Sequence, residues 1–484
     1  MKLSNQIMLI TYADSMGGTL QSLDALLSKH YDGAVGGIHV LPPFPYSADR
    51  GFSPITYEEI LPVYGSWEDF HRLRERYYLM LDFMINHISA QSPQYQDFLK
   101  NKDASPYKDM FIRYKDFWPG GEPTQAQVDA IYKRKPRAPY VDANFADGTS
   151  EKVWCTFGTD QIDLNLRSPK VMRYVRDTLV MLMDHGMSLL RLDAFAYAIK
   201  KVGGSCFFEE PEIWDLLKEI DELTQAHGCD MLPEIHEHYS IPMKLADKGY
   251  WTYDFALPML VLHSLFTGNG APLKHWLKIC PRKQFTTLDT HDGIGVVDAR
   301  DLLTDEQLDE TCRMLYEKGA NVNRIYSSEA YNNLDIYQIN CTYYSALGND
   351  DDAYLLARAI QFFAPGIPQV YYVGMLAGEN DIALVEQTRN GRDINRHNYT
   401  ASEVDAAFDR PVVAKLRDLM RLRNADPAFG GECVIEDTSD QRLRIRRTNG
   451  PDTLILDADL KNHTFEILRV KDGEAAPVRW TAAE

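Results

Sequence analysis

MSLLRLDAFA (187–196) reads as a strand that is buried on both faces and ends in charge. Leu189, Leu190 and Leu192 leave no polar face, the pattern of a parallel strand enclosed in an α/β fold. Side chains alternate with period two, so Arg191 and Asp193 share one face. Two other runs end alike, with Glu234 in CDMLPEIHE (229–237) and Asp292 in QFTTLDTHDG (284–293). In (β/α)8 barrels the C-terminal strand ends carry the chemistry. Two carboxyls flanking a glycosidic bond are the minimum for glycosyl transfer, and a third can hold sugar hydroxyls or developing positive charge. Asp193, Glu234 and Asp292 are therefore the catalytic candidates.

Outward from these segments the pattern repeats. IMLITYAD (7–14), AVGGIHVLP (34–42), YYLMLDFMINH (77–87), YWTYDFALP (250–258) and IPQVYYVG (367–374) bring the strand candidates to eight. Helical stretches such as SPKVMRYVRDTLVMLMDHG (168–186) and PEIWDLLKEIDELTQAHG (211–228) lie between them, the second with Pro in its first turn and Gly at its close. Eight strands alternating with helices predict an α/β fold, a (β/α)8 TIM barrel rather than an open sheet.

The spacing is uneven. The barrel is expected at 1–87, 166–294 and 353–429. An aromatic-rich stretch at 88–165 is too long for an ordinary barrel loop and reads as an inserted subdomain. A second insertion, 295–352, includes the polar run GANVNRIYSSEAYNN (319–333). At 430–484, alternation in RLRIRRT (442–448) and TLILDADL (453–460) predicts a C-terminal antiparallel β-sheet domain.

Composition narrows the partners. With 51 basic and 70 acidic residues among 484, the net charge is −19, which argues against nucleic acid. No apolar run reaches the roughly 18 residues of a membrane span. The N-terminal apolar stretch is too short for a secretory signal. Seven scattered cysteines without CxxC spacing favour reduced thiols in a cytoplasmic protein.

Individual motifs leave alternatives open. Arg191 beside Asp193 is expected to lower its pKa and keep it ionised as a nucleophile; as a bare tripeptide, RLD also fits a structural ion pair. If the strand stays regular, Glu234, His236 and His238 project together. That pair raises a rival metal-dependent hydrolase, with His87 and His291 as further ligands. Lys133, Arg134, Lys135 and Arg137 crowd YKRKPRAPY (132–140): a solvated face, or an anion clamp over the barrel mouth. Arg392 and Arg396 follow the eighth strand.

Together, DFMINH (82–87), RLDAF (191–195), Glu234 and TLDTHDG (287–293) resemble the α-amylase superfamily of glycoside hydrolases and transglycosylases. Within it, IHVLPPFPYSADRGFSPI (38–55), YNNLDIYQINCTYYSAL (331–347) and GRDINRH (391–397) look like the sucrose phosphorylase family. The chain departs from true amylases after Asp193: Ala196 and Tyr197 stand where a Lys-His pair is common, which argues against starch.

The resemblance implies a retaining transfer of glucose from sucrose to inorganic phosphate, giving glucose 1-phosphate and fructose. It makes Asp193 the nucleophile, Glu234 the acid/base and Asp292 the transition-state stabiliser. Asp49, His87, Arg191, His291 and Arg392 would bind glucose, with Phe52 flanking. Tyr197, His236, Arg137, Asp335, Tyr337 and Gln338 would shape the fructose and phosphate subsite, with Arg134 as a second anion contact. No metal or cofactor is implied, and a monomer or homodimer is expected. The related sucrose 6-phosphate phosphorylases are expected to carry a histidine near DIYQ (335–338), where Ile336 and Tyr337 stand here. Glucosylglycerate phosphorylases are more distant relatives.

Overall fold

The computed structural model describes residues 2–326, 334–471 and 473–480, and no side chain within 322–336. Eight strands carry the frame: β1 Met8–Thr11, β2 Gly37–Val40, β3 Tyr78–Met84, β4 Leu189–Asp193, β5 Asp230–Pro233, β6 Thr252–Asp254, β7 Gln284–Thr286 and β8 Ile367–Tyr371. They pair in parallel in the order β6-β7-β8-β1-β2-β3-β4-β5. The end strands β5 and β6 come into contact, so the sheet curls into a nearly closed barrel. The predicted (β/α)8 fold is borne out, with all eight strands drawn from the eight apolar runs.

Alternation along each strand divides the core. Met8, Tyr78, Met80, Leu189, Leu232, Tyr253, Phe285 and Ile367 fill the barrel interior, as layered side chains do in this architecture. Their neighbours Leu79, Leu81, Phe83, Leu190 and Leu192 face the helical layer. On β3 and β4 the inward series continues into Asp82, Arg191 and Asp193, so the alternation that packs the floor aims charge at the top.

The helix Pro169–Asp184 buries Val171, Val175, Leu179 and Leu182 at helical spacing, with Pro169 in its first turn. In the next helix, Glu212–Ala226, Pro211 is the N-cap rather than a first-turn residue.

The long segment after β3 holds an antiparallel hairpin, Tyr140–Asn144 with Ser150–Trp154, around Tyr114, Trp118 and Trp154. Its strand Gln161–Asp163 pairs with His87–Ser89. After β7, the strand Leu334–Asn340 pairs with Ile294–Gly295 and Asn321–Tyr326. The C-terminal sheet runs antiparallel through β9 Glu432–Glu436, β10 Arg442–Asn449, β11 Asp452–Asp459, β12 Thr464–Lys471 and β13 Glu474–Pro477. Among the described residues, no helix is long and apolar enough to cross a membrane.

One buried ion pair ties the long segment to the barrel. The Lys200 ammonium, just past β4, lies 2.8 Å from Asp163 Oδ2, donates to Asn86 Oδ1 at 2.7 Å, and also bonds the Tyr197 carbonyl. Asp163 accepts in addition from Thr156 N and Oγ. Lys200→Met would strand a buried carboxylate, a change that costs about 3–5 kcal/mol. Urea unfolding should show that loss, and Lys200→Met with Asp163→Leu should recover much of it.

Candidate active site

Arg191 organises the top of β3, β4 and β5. Its Nη1 donates to Asp82 and, at 2.8 Å, to Asp193 Oδ1, while Nη2 lies 3.7 Å from Glu234 Oε1. Behind it His39 Nε2 meets Asp82 Oδ2 at 2.6 Å. Ala194 follows the strand at φ 52, a left-handed turn unusual for a residue with a Cβ. The turn sends its N–H to Glu234 Oε2 at 3.0 Å.

The electrostatics correct one expectation. Burial pushes the Asp193 pKa well above the usual carboxylate range; Arg191 pulls it down, while Glu234 and Asp82 push it up. Arg191 therefore does not set the direction at Asp193: burial and the two neighbouring carboxyls outweigh its pull.

The opposite wall comes from the ends of β7 and β8. His291 stacks on Phe52, ring centroids 4.8 Å apart. Arg392 lies 2.8 Å from Asp292 and 3.3 Å from Asp49, bridging two carboxylates. Burial opposes ionisation of Asp292, but His291 and Arg392 outweigh it and hold its pKa low. Asp49 is lowered likewise, Arg392 and Arg396 overriding burial. The loop after β8 also stitches down the turn that carries Asp292: Asn395 donates to the Thr290 and Asp292 carbonyls and Arg396 to that of His291.

Between these walls lies a cavity of about 890 Å³. Asp49, Phe52, His87, Arg134, Asp193, Tyr197, Glu234, His291, Asp292, Tyr337, Gln338 and Arg392 line it. Arg191 and His236 stand just behind the wall, each in contact with Glu234. Buried His87 meets the Phe52 carbonyl at 2.9 Å. Arg134 stacks 3.7 Å above the Tyr337 ring and donates to a tyrosine hydroxyl, that of Tyr337. The side chain of Asp335 lies outside the described residues. Lys135, Phe157 and Gln161 also line the cavity; Lys135 and Phe157 come from loops and Gln161 from a strand of three residues, too short to mark a period in the sequence.

Two basic or histidine assignments need revision. Arg137 is not a free clamp: its guanidinium donates to the carbonyls of Ala138, Tyr140, Cys155 and Phe157, at 2.8–3.3 Å. It braces the loop and lies outside the cavity lining. Glu234, His236 and His238 do not project together, because β5 ends at Pro233. His236 turns inward, whereas His238 turns out to Asp301 and Ser240. Glu234, His236 and Asp292 do place ligand-type atoms within 4.8 Å of one another. Arg191 and Arg392 already oppose the two carboxylates there, and a divalent cation would have to join two guanidinium groups.

Residues 29–251 match the α-amylase catalytic domain model. Over 471 residues the chain is 52% identical to a sucrose phosphorylase of Streptococcus mutans, covering 96% of this chain and 98% of the relative. The chain belongs to the α-amylase family. Identity to a sucrose 6(F)-phosphate phosphorylase of Thermoanaerobacterium thermosaccharolyticum is 44%, over 96% of this chain and 97% of that one. A crystal structure of sucrose 6F-phosphate phosphorylase from Thermoanaerobacter thermosaccharolyticum superposes with TM-score 0.95 at 43% identity, covering 99% of each chain.

The Glu234 share of the Asp193 shift can be tested within this α-amylase family site. Glu234→Gln removes the neighbouring negative charge, so the Asp193 carboxyl should titrate at lower pH than in the wild type. NMR of ¹³C-labelled aspartate checks it; an unmoved or raised Asp193 titration contradicts that contribution.

Proposed function

We propose that this protein is a sucrose phosphorylase that transfers glucose from sucrose to inorganic phosphate with retention of configuration. The 52% identity to the Streptococcus mutans enzyme across nearly the full length of both chains carries the reading, and the site supplies chemistry to match. In the first displacement an Asp193 oxygen attacks glucosyl C1. The C1–oxygen bond to fructose breaks, and Glu234 gives its proton to that oxygen. In the second, a phosphate oxygen attacks C1, the bond to Asp193 breaks, and Glu234 accepts the phosphate proton. Two inversions release α-glucose 1-phosphate.

The remaining groups have complementary roles. Asp292, held ionised by its surroundings, grips glucose hydroxyls and balances the positive charge that develops at C1. Asp49, Arg392, His87 and His291 hold the glucosyl unit, Arg191 keeps both reacting carboxyls in place, and Phe52 packs beside the sugar. Tyr197, His236, Tyr337 and Gln338 shape the neighbouring subsite for fructose and then phosphate. The seven cysteines are free thiols, which supports action in the cytoplasm, and we assign the working form to a monomer or homodimer.

Once Asp193 is esterified, phosphate must still enter among Asp49, Glu234 and Asp292, and Arg134 is the guanidinium that offsets them. Arg137, spent on backbone carbonyls, acts on the loop instead. Arg134→Ala should slow phosphorolysis about tenfold or more, the cost of losing a charged hydrogen bond, while transfer to a neutral acceptor falls less. Arg137→Ala should slow both alike.

The function itself is tested by glucose 1-phosphate release from sucrose and from sucrose 6-phosphate, with and without phosphate, assaying free glucose in parallel. Faster phosphate-dependent release from sucrose is expected. Preference for sucrose 6-phosphate would move the chain to the second relative's activity, and phosphate-independent glucose would make it a hydrolase. A chelator should leave the rate unchanged.

A further inference from the structure

His236 has a carboxylate at each ring nitrogen. Nε2 lies 3.4 Å from Glu234 Oε1, and Nδ1 lies 3.7 Å from Asp298 Oδ2. The His236 and Asp298 side chains are each 3% exposed. Among the described residues, neither His236 Nδ1 nor Asp298 Oδ2 has a hydrogen bond to any other group. The ring is fixed by stacking on Phe255, centroids 3.7 Å apart, with Tyr337 edge-on at 5.8 Å.

Asp298 belongs to a short 3₁₀ turn, Val297–Ala299, in the insertion after β7. A Cβ on Gly295 would fall 2.1 Å from Asp298 Oδ2, so the bare backbone at Gly295 makes room for the carboxylate. A neutral imidazole carries one N–H and would turn a lone pair toward one of its two carboxylates; an imidazolium donates toward both. The groups that act on the ring are Glu234 from the loop after β5, Asp292 from the loop after β7, and Asp298. Asp298 in turn faces His236 and Glu237, with Asp254 and Tyr337 close enough to feel its charge. Arg191 stands on the far side of Glu234.

We propose that Asp298 is a positioning residue that holds His236 as a fixed imidazolium, whose charge stabilises the Glu234 carboxylate and draws phosphate to the glucosyl-enzyme. The inference rests on the phosphorylase reading. His236 keeps both protons throughout, so the proton balance of the two displacements is unchanged. Burial lowers the pKa of a histidine, but Asp298, Glu234 and Asp292 outweigh it here and the His236 pKa is raised. Burial also raises the pKa of Asp298, against the lowering pull of His236; the two charges therefore stand or fall together. Activity that needs the imidazolium is complete below the His236 pKa and fades as pH rises through it. Losing the Asp298 charge moves that fading to lower pH.

Two measurements test the proposal. In wild-type enzyme labelled with ¹⁵N-histidine, with the signal assigned through His236→Gln, both ring nitrogens should be protonated near neutral pH; a neutral ring overturns the proposal without any variant. With α-glucosyl fluoride as donor, Asp298→Asn should slow transfer to inorganic phosphate about tenfold or more beyond any loss in transfer to a neutral acceptor. The basic limb of the phosphate profile should move to lower pH, and Asp298→Asn should add nothing to His236→Gln. Equal losses with an unmoved profile mean a packing role only and overturn it. If sucrose and phosphate give no glucose 1-phosphate with the wild type, the phosphorylase reading fails, while the nitrogen signals still decide the state of His236.

Discussion

The Arg191 guanidinium lets three acidic side chains share a small buried volume. Asp82 on β3, Asp193 on β4 and Glu234 after β5 all face it, and its side chain is 3% exposed. Without it the strand ends would bring together buried like charges, each with a desolvation penalty of several kcal/mol. The arrangement needs no special loop. It follows from β4 placing residues 189, 191 and 193 on the inner face, where the first packs the barrel floor and the next two reach the mouth. Buried His39 backs Asp82 from β2, extending the charged layer across adjacent strands.

The same alternation explains how much could be read from the sequence. Parallel strands enclosed on both faces leave continuous apolar runs, and the eight runs became the eight barrel strands. Sites at their ends were legible because strand direction fixes where Asp193 and Arg191 point. Legibility stopped where the strand did. Pro233 ends β5, so period-two reasoning carried past it wrongly paired His238 with His236. Within YKRKPRAPY (132–140) no period distinguishes the cation that faces the cavity, Arg134, from the one that braces the loop, Arg137. Lys135, Gln161 and Asp298 were invisible for the same reason: their directions are set by contacts between segments far apart in the chain. The direction of the Asp193 pKa shift is beyond the sequence, which shows the neighbouring arginine but not the burial that outweighs it.

Charge is divided between the barrel and the chain that caps it. Asp193, Glu234 and Asp292 sit at barrel strand ends, whereas Arg134 and Lys135 come from the long segment after β3 and Arg392 from the loop after β8. Burial and the cations beside it lower the Lys135 pKa from that of a free lysine, whereas Arg134 and Arg392 are guanidinium groups that stay charged. In the proposed reaction this division separates the tasks. The barrel supplies groups that break and make the glucosyl bond, Arg392 holds the glucosyl unit, and Arg134 from the long segment admits an anion into an acidic cavity of an acidic protein.

Separate segments can cooperate only if their relative position is fixed, and the Lys200–Asp163 pair supplies that constraint. Lys200 lies a few residues past the nucleophile candidate on the chain leaving β4, and Asp163 closes the segment that carries Arg134. A buried ammonium with three oxygen partners has little freedom to shift, because each lost partner leaves a polar group unpaired away from water. Lys200 thereby ties the chain leaving β4 to the end of the segment that carries Arg134. A strand end, a buried cation and a capping loop form one mechanical unit, and specificity for an anionic acceptor can change in the loop without disturbing the carboxylates that carry the chemistry.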